Sequence, residues 1–277
     1  MTSRWQAALI VLLVGWIYLP ILARLSSQWW HDPNFSHGFF VPAFSFYVLW
    51  EKRGELAALR KKPSWTGLPI LISALAILII GVLGAELFLS RLSLLFVIAG
   101  LVVFFLGWRH QKTILFPWAF LLLMIPIPSI LFNQITFPLQ LLASKVAAQV
   151  LPWMGVPVFR EGNVIQLPAM ALEVAEACSG IRSLLSLATL AIIYGYLLER
   201  RTPLRVGLAV ASIPIAVAAN SLRIVGTGLL VQYWDPDKAE GFFHTFSGWL
   251  IFVVSLAMLF LLHRLAAFVW RPEAGRP

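Results

Sequence analysis

The sequence predicts an all-α polytopic membrane protein, with about eight transmembrane helices and a small β-hairpin element on the outer face ahead of the sixth. Three observations carry this reading. The chain is 60% hydrophobic and only 12% charged, about half the charged share of a soluble globular protein. Its mean hydropathy is +0.86. Its apolar residues also fall into runs close to the roughly 20 residues that a helix needs to cross a hydrocarbon core of ~30 Å.

The runs are 6–25, 36–50, 68–87, 92–108, 114–131, 178–198, 205–230 and 244–268. Residues 7–23 have no small-residue cleavage site behind them, so the first run is expected to be a retained helix. Basic clusters separate the runs: Lys52, Arg53, Arg60, Lys61 and Lys62; Arg109 and Lys112; Arg200, Arg201 and Arg205; and Arg264, Arg271 and Arg276. With Arg4 inside, eight crossings put every one of these clusters on one side. That side then holds 14 of the 21 Lys+Arg and 4 of the 12 acids, which is the positive-inside pattern and makes both termini cytoplasmic. The net charge of +9 is therefore mostly topology. No basic stretch interleaves with exposed aromatics as a nucleic-acid groove would, so nucleic acid is excluded as a partner.

Residues 129–150 are long enough to cross, but an extra crossing would move Arg200, Arg201 and Arg205 outside. Asn133, Gln134, Gln140, Ser144, Lys145 and Gln149 give the segment a broad polar face, and Pro138 interrupts it. It reads as an amphipathic helix at the outer interface, or a re-entrant one. After it, Val156–Arg160, a Glu-Gly-Asn turn and Val164–Leu167 read as a β-hairpin, with Leu172–Glu176 as a further short strand. No repeat or second domain is evident. Residues 1–277 are expected to form a single integral membrane domain, with no soluble tail beyond Trp270.

Cys178 is the only cysteine. It lies where the polar, turn-rich segment meets the sixth apolar run. By the alternation of spans, Cys178 falls at the outer end of span six, Arg223 in the outer third of span seven and His244 at the outer end of span eight. A lone membrane cysteine is ordinarily a packing residue, and a histidine at a helix start is ordinarily interfacial. An arginine inside a span is rare and functional or paired by default, with Asn220 one turn earlier on the same face as its orienting partner. At one depth, the three suit acyl transfer through a thioester. A helix N-terminus and a nearby guanidinium favour the thiolate, His244 moves the proton, and Arg223 stabilises the oxyanion. Gly180 and Gly248 leave room for a substrate backbone, or serve helix packing. Glu173 and Glu176 can pair with Arg182 or orient His244; surface solvation accounts for them equally well. The five histidines and one cysteine show no zinc spacing, and no dinucleotide or Walker loop is present, so neither metal nor cofactor is expected.

Two stretches resemble the exosortase family, within the exosortase/archaeosortase group of polytopic cysteine transpeptidases. The early one, Trp30-His-Asp-Pro-Asn-Phe-Ser-His37-Gly-Phe-Phe-Val-Pro42, is similar to the family's D-x-N-Y-S-H-G signature, with Phe35 in place of tyrosine. The late one is the trio ACSGIRSL, NSLRI and HTFSG. The resemblance implies Cys178 as nucleophile, Arg223 as transition-state partner and His244 as the third catalytic residue, with His37 at the outer end of span two as a supporting residue. It implies a bacterial inner-membrane enzyme with its site on the periplasmic side. Its partners would be membrane lipid, an amine acceptor, and exported proteins carrying a C-terminal Pro-Glu-Pro-type motif, one spanning helix and a basic tail. The competing class is a transporter or envelope polysaccharide export component, in which Arg223 holds an anion and His244 relays protons. That class implies internal pseudo-symmetry, which the sequence lacks.

Overall fold

The computed structural model describes residues 4–173, 180–234 and 242–269. The chain divides into two compact units, Met1–Pro128 and Ser129–Pro277.

In the first unit, α1 (Arg4–His31) runs into a 3-10 helix (Pro33–Phe39) and then α2 (Phe40–Glu51) and α3 (Arg53–Ala58). α4 (Gly67–Leu83) and α5 (Leu87–Phe105) form a tight hairpin, followed by α6 (Trp108–Thr113), α7 (Leu115–Phe120) and a 3-10 turn (Leu121–Met124). Glycines make the hairpin tight: a Cβ at Gly67 would lie 2.5 Å from the Phe104 nitrogen, and one at Gly81 would lie 2.6 Å from the Ser90 nitrogen. Tyr18, Ala74, Leu78 and Val97 form the shared core of α1, α4 and α5. The Tyr18 hydroxyl and Ser93 Oγ, 2.8 Å apart, pin α1 to α5.

The second unit is built around one long helix, Thr202–Tyr233. α8 (Ser129–Trp153) leads to a three-stranded antiparallel sheet, β1 (Phe159–Glu161), β2 (Val164–Gln166) and β3 (Ala171–Glu173), in that spatial order. Ile165 pairs with Arg160 on one side and Leu172 on the other. Gly162, at φ +62°, makes the hairpin turn, the left-handed conformation that favours glycine. The helices α9 (Gly180–Leu198), α10 (Thr202–Tyr233) and α11 (Phe242–Val269) follow. One side of α10 meets α8 and the sheet through Ile224, Val225 and Val231, against Ala143, Ala147, Leu151, Ile165 and Leu172. The other meets α9 and α11 through Leu208, Ile215 and Ala216, against Leu187, Ala191 and Leu259. Where α9 turns into α10, the Tyr194 hydroxyl shares a hydrogen bond of 2.8 Å with His263 Nδ1, and His263 Nε2 lies 3.4 Å from a Glu199 carboxylate oxygen. Arg205 closes the turn by donating to the Glu199 and Tyr196 carbonyls.

Every expected run contains helix, and the expected β element is present as a three-stranded sheet. Among the described residues, four helices are long and apolar enough to cross a membrane, or five if Leu115–Met124 and Ser129–Trp153 count as one broken span. The other expected crossings are shorter helices. The run 36–50 begins as a 3-10 turn because Pro33 sits at its first position and Asp32 caps it by accepting from the Asn34 N–H at 2.9 Å. The run 114–131 stops at Met124, where Ile125 turns extended (ψ 117°) ahead of Pro126, as a residue before proline does. The runs at 68–87 and 178–198 appear as Gly67–Leu83 and Arg182–Leu198. On α8, Ser144 does not face water: it is fully buried and donates to the Gly162 carbonyl at 3.0 Å.

Candidate functional site

α10 carries an unusual buried stripe. Asn220, Arg223 and Thr227 are each exposed by less than a tenth, and spacings of three and four put them on one face. Arg223 was expected to be functional because of its place in an apolar span, and it is 4% exposed. Thr227 was not anticipated; a polar residue four positions after a buried arginine was the available signal.

The Arg223 side chain ends against α11. A Cβ built on Gly248 would lie 3.4 Å from Nη2, 3.5 Å from Cζ and 3.6 Å from Nη1. Near-equal distances to all three atoms place that point over the flat of the guanidinium rather than at its edge. Gly248 thus offers bare backbone to the face of the group, leaving the in-plane N–H donors to point elsewhere. His244 occupies the position one helical turn before Gly248, on the same face of α11. Arg223, in the last third of α10, thus meets α11 at Gly248, in the first quarter of that helix.

The other expected residues divide. Cys178 and Glu176 lie outside the described residues, just ahead of the start of α9 at Gly180. Arg182 is exposed in the first turn of α9, and Glu173 is exposed on β3. His37 belongs to the first unit, where it is buried and holds the Leu123 carbonyl at 3.2 Å through Nε2. Beside it, Trp29 Nε1 donates to the Met124 carbonyl at 2.9 Å, and the Trp29 ring lies so close to Gly38 that no Cβ would fit there. The Ser36-His37-Gly38 stretch thus secures the 3-10 turn at Leu121–Met124, a structural role that the sequence reading did not foresee.

Among the described residues, no group of three or more His, Cys, Asp or Glu side chains is placed to hold a metal ion. Comparison with curated proteins and with solved structures gave no match. The model of the transmembrane exosortase family matches residues 29–261, a stretch that includes the Asp32–Gly38 segment, Cys178, Arg223 and His244. With most of its length matched, this membrane protein belongs to the transmembrane exosortase family.

Proposed function

We propose that this protein is a membrane-embedded cysteine transpeptidase that cleaves C-terminal sorting signals of exported proteins at the outer face of the cytoplasmic membrane. The observation that carries the reading is the placement of the Arg223 guanidinium against Gly248, one turn from His244, in a chain of this family.

In the proposed reaction, the Cys178 thiolate attacks the carbonyl carbon of the scissile peptide bond. The carbon–sulfur bond forms, and the negative charge passes to oxygen, where Arg223 donates to it. The carbon–nitrogen bond then breaks, and the leaving amine takes a proton from His244. The substrate is now a thioester on Cys178, and its spanning helix departs. The amine of an acceptor attacks the thioester and gives up a proton to His244, and the thiolate is released. Water in place of the amine gives hydrolysis. The substrate class is an exported protein with a Pro-Glu-Pro-type motif, a spanning helix and a basic cytoplasmic tail. The helix of such a substrate sets the motif at the membrane surface, at the depth expected for Cys178. Asn220 is assigned to orienting Arg223.

The test is co-expression with a protein bearing such a tail, followed by mass spectrometry of the Cys178 peptide. Wild type should process the tail and yield a substrate adduct on Cys178. Cys178→Ala should accumulate to the same level without processing, and full processing by that variant would sink the thioester mechanism.

A further inference from the structure

Arg223 is not the only buried arginine in an apolar helix. Arg91 lies in the second turn of α5, within the membrane-capable stretch Leu87–Phe105, and is 3% exposed. Its Nε has no hydrogen-bond partner, and among the described residues no carboxylate comes within ion-pair distance of it. Glu86, the nearest acid in sequence, uses its carboxylate to accept from the Phe88 N–H at the head of α5 and acts on Arg91 as a more distant charge. Intramembrane arginines are costly and ordinarily paired, and this one has no carboxylate beside it among the described residues, which leaves an anion from outside the chain as a candidate partner.

The place for one is beside it. Beyond the Tyr18–Ser93 contact, α1 and α5 border an open groove of about 690 Å³. Arg91 lines it from α5, with Arg24, Ser27, Gln28, His31 and Asp32 along the end of α1. His31 uses Nδ1 on the Ser27 carbonyl at 2.8 Å, and Asp32 uses an oxygen to cap the following turn. Two arginines thus line the groove against one acidic residue, and Ala23 and Leu87 give it an apolar wall. The groove lies at the end of one membrane-capable stretch, Ala8–His31, and the start of another, where headgroups would be expected to meet acyl chains.

We propose that this groove binds the phosphate of an anionic membrane phospholipid, with Arg91 as the buried cation, Arg24 as the outer one, and the acyl chain against the apolar wall. Guanidinium groups match phosphate through paired, charge-assisted hydrogen bonds. The apolar wall favours a lipid over a free phosphate as the source.

The test uses the full-length protein in a neutral detergent. Native mass spectrometry measures the lipid retained after adding phosphatidylglycerol or phosphatidylcholine. Wild type should retain phosphatidylglycerol preferentially, and Arg91→Gln should weaken retention about tenfold, as the loss of one charge-assisted contact does. Because Arg91 is buried, Arg24→Gln on the exposed wall is the companion variant: it should insert normally, unfold at the wild-type temperature without lipid, and retain several-fold less phosphatidylglycerol. Equal retention of the two lipids by wild type overturns the proposal, as does unchanged retention by Arg24→Gln. Arg91-dependent protection against thermal unfolding by inorganic phosphate, with no lipid retained, assigns the site to a soluble phosphoryl group and overturns the lipid as its source.

Discussion

The Arg223 guanidinium lies with its face toward Gly248, close enough that a methyl group there would be in van der Waals contact. Alanine at 248 therefore fits, and a branched side chain does not. Gly248→Ala should keep the protein inserted and processing within several-fold of wild type. Gly248→Val should displace the guanidinium, at an overpacking cost of about 1–3 kcal/mol. Processing of a tailed substrate, read beside the abundance of each variant, checks the contrast. Equal activity in the two variants would remove Gly248 from the site.

Arg223→Lys separates charge from shape. If the residue only balances a charge, lysine suffices. If its planar fork holds the oxyanion, the variant should lose about 10²–10³ in rate. The second result is expected, with Cys178 still modified by a small membrane-permeant thiol reagent as evidence of folding. Near-normal processing would reassign Arg223 to structure.

The α4–α5 hairpin gives a stability test that is independent of function. Gly81→Ala puts a methyl 2.6 Å from the Ser90 backbone, which cannot rotate away, so thermal unfolding in detergent should show a loss of about 1–3 kcal/mol. On α3, a methyl at Gly54 would meet nothing within 4 Å. Gly54→Ala should leave stability unchanged or raise it by roughly 0.5–1 kcal/mol, as alanine does in a helix.

Glu199 supplies a pH dependence. Its carboxyl is held below the ordinary carboxylate range, chiefly by the Arg201 backbone N–H, which outweighs the opposing effect of burial, and then by the hydrogen bond with His263 and the Arg200 backbone N–H. A depressed folded-state pKa contributes stability above the unfolded value of about 4.3 and loses it as pH falls through the folded value. Wild type should therefore lose thermal stability as pH drops below about 4, and Glu199→Gln should flatten that slope while unfolding at a lower temperature near neutrality. Parallel acid profiles for the two would show that the Glu199 contact contributes nothing.

Sidedness is checked by single-cysteine labelling in a Cys178→Ala background. A cysteine at Asn163, in the hairpin turn, should react from outside, and one at Lys61 only from inside. Cytoplasmic labelling at position 163 would make residues 129–150 a true crossing and invert the proposed site.

Much of this was legible in the sequence because the signals were local. Gly162 between two alternating segments announced the hairpin, and an arginine in an apolar run announced the buried stripe on α10. What escaped notice depended on partners far along the chain. Reading the fourth run from 92 leaves out the charged Arg91; in fact Glu86 caps a helix that starts at Leu87 and takes Arg91 inside. Ser144 counted toward a polar, water-facing stripe, yet the Gly162 carbonyl, supplied by the hairpin, satisfies it in the core. His37 stood out through the resemblance alone, and its partner at Leu123 could not be read from its own neighbourhood.

α10 contains 32 residues, a contour of about 48 Å at 1.5 Å per residue, well beyond the ~30 Å of a bilayer interior. The excess is taken up by tilt or by projection into the headgroups. Arg223, in the last third of this long helix, is expected to rise or sink with the thickness of the surrounding lipid. Acyl-chain length would thereby set the depth of this guanidinium, and the same polypeptide reconstituted in short-chain and long-chain bilayers should present it at different levels to anything anchored beside it.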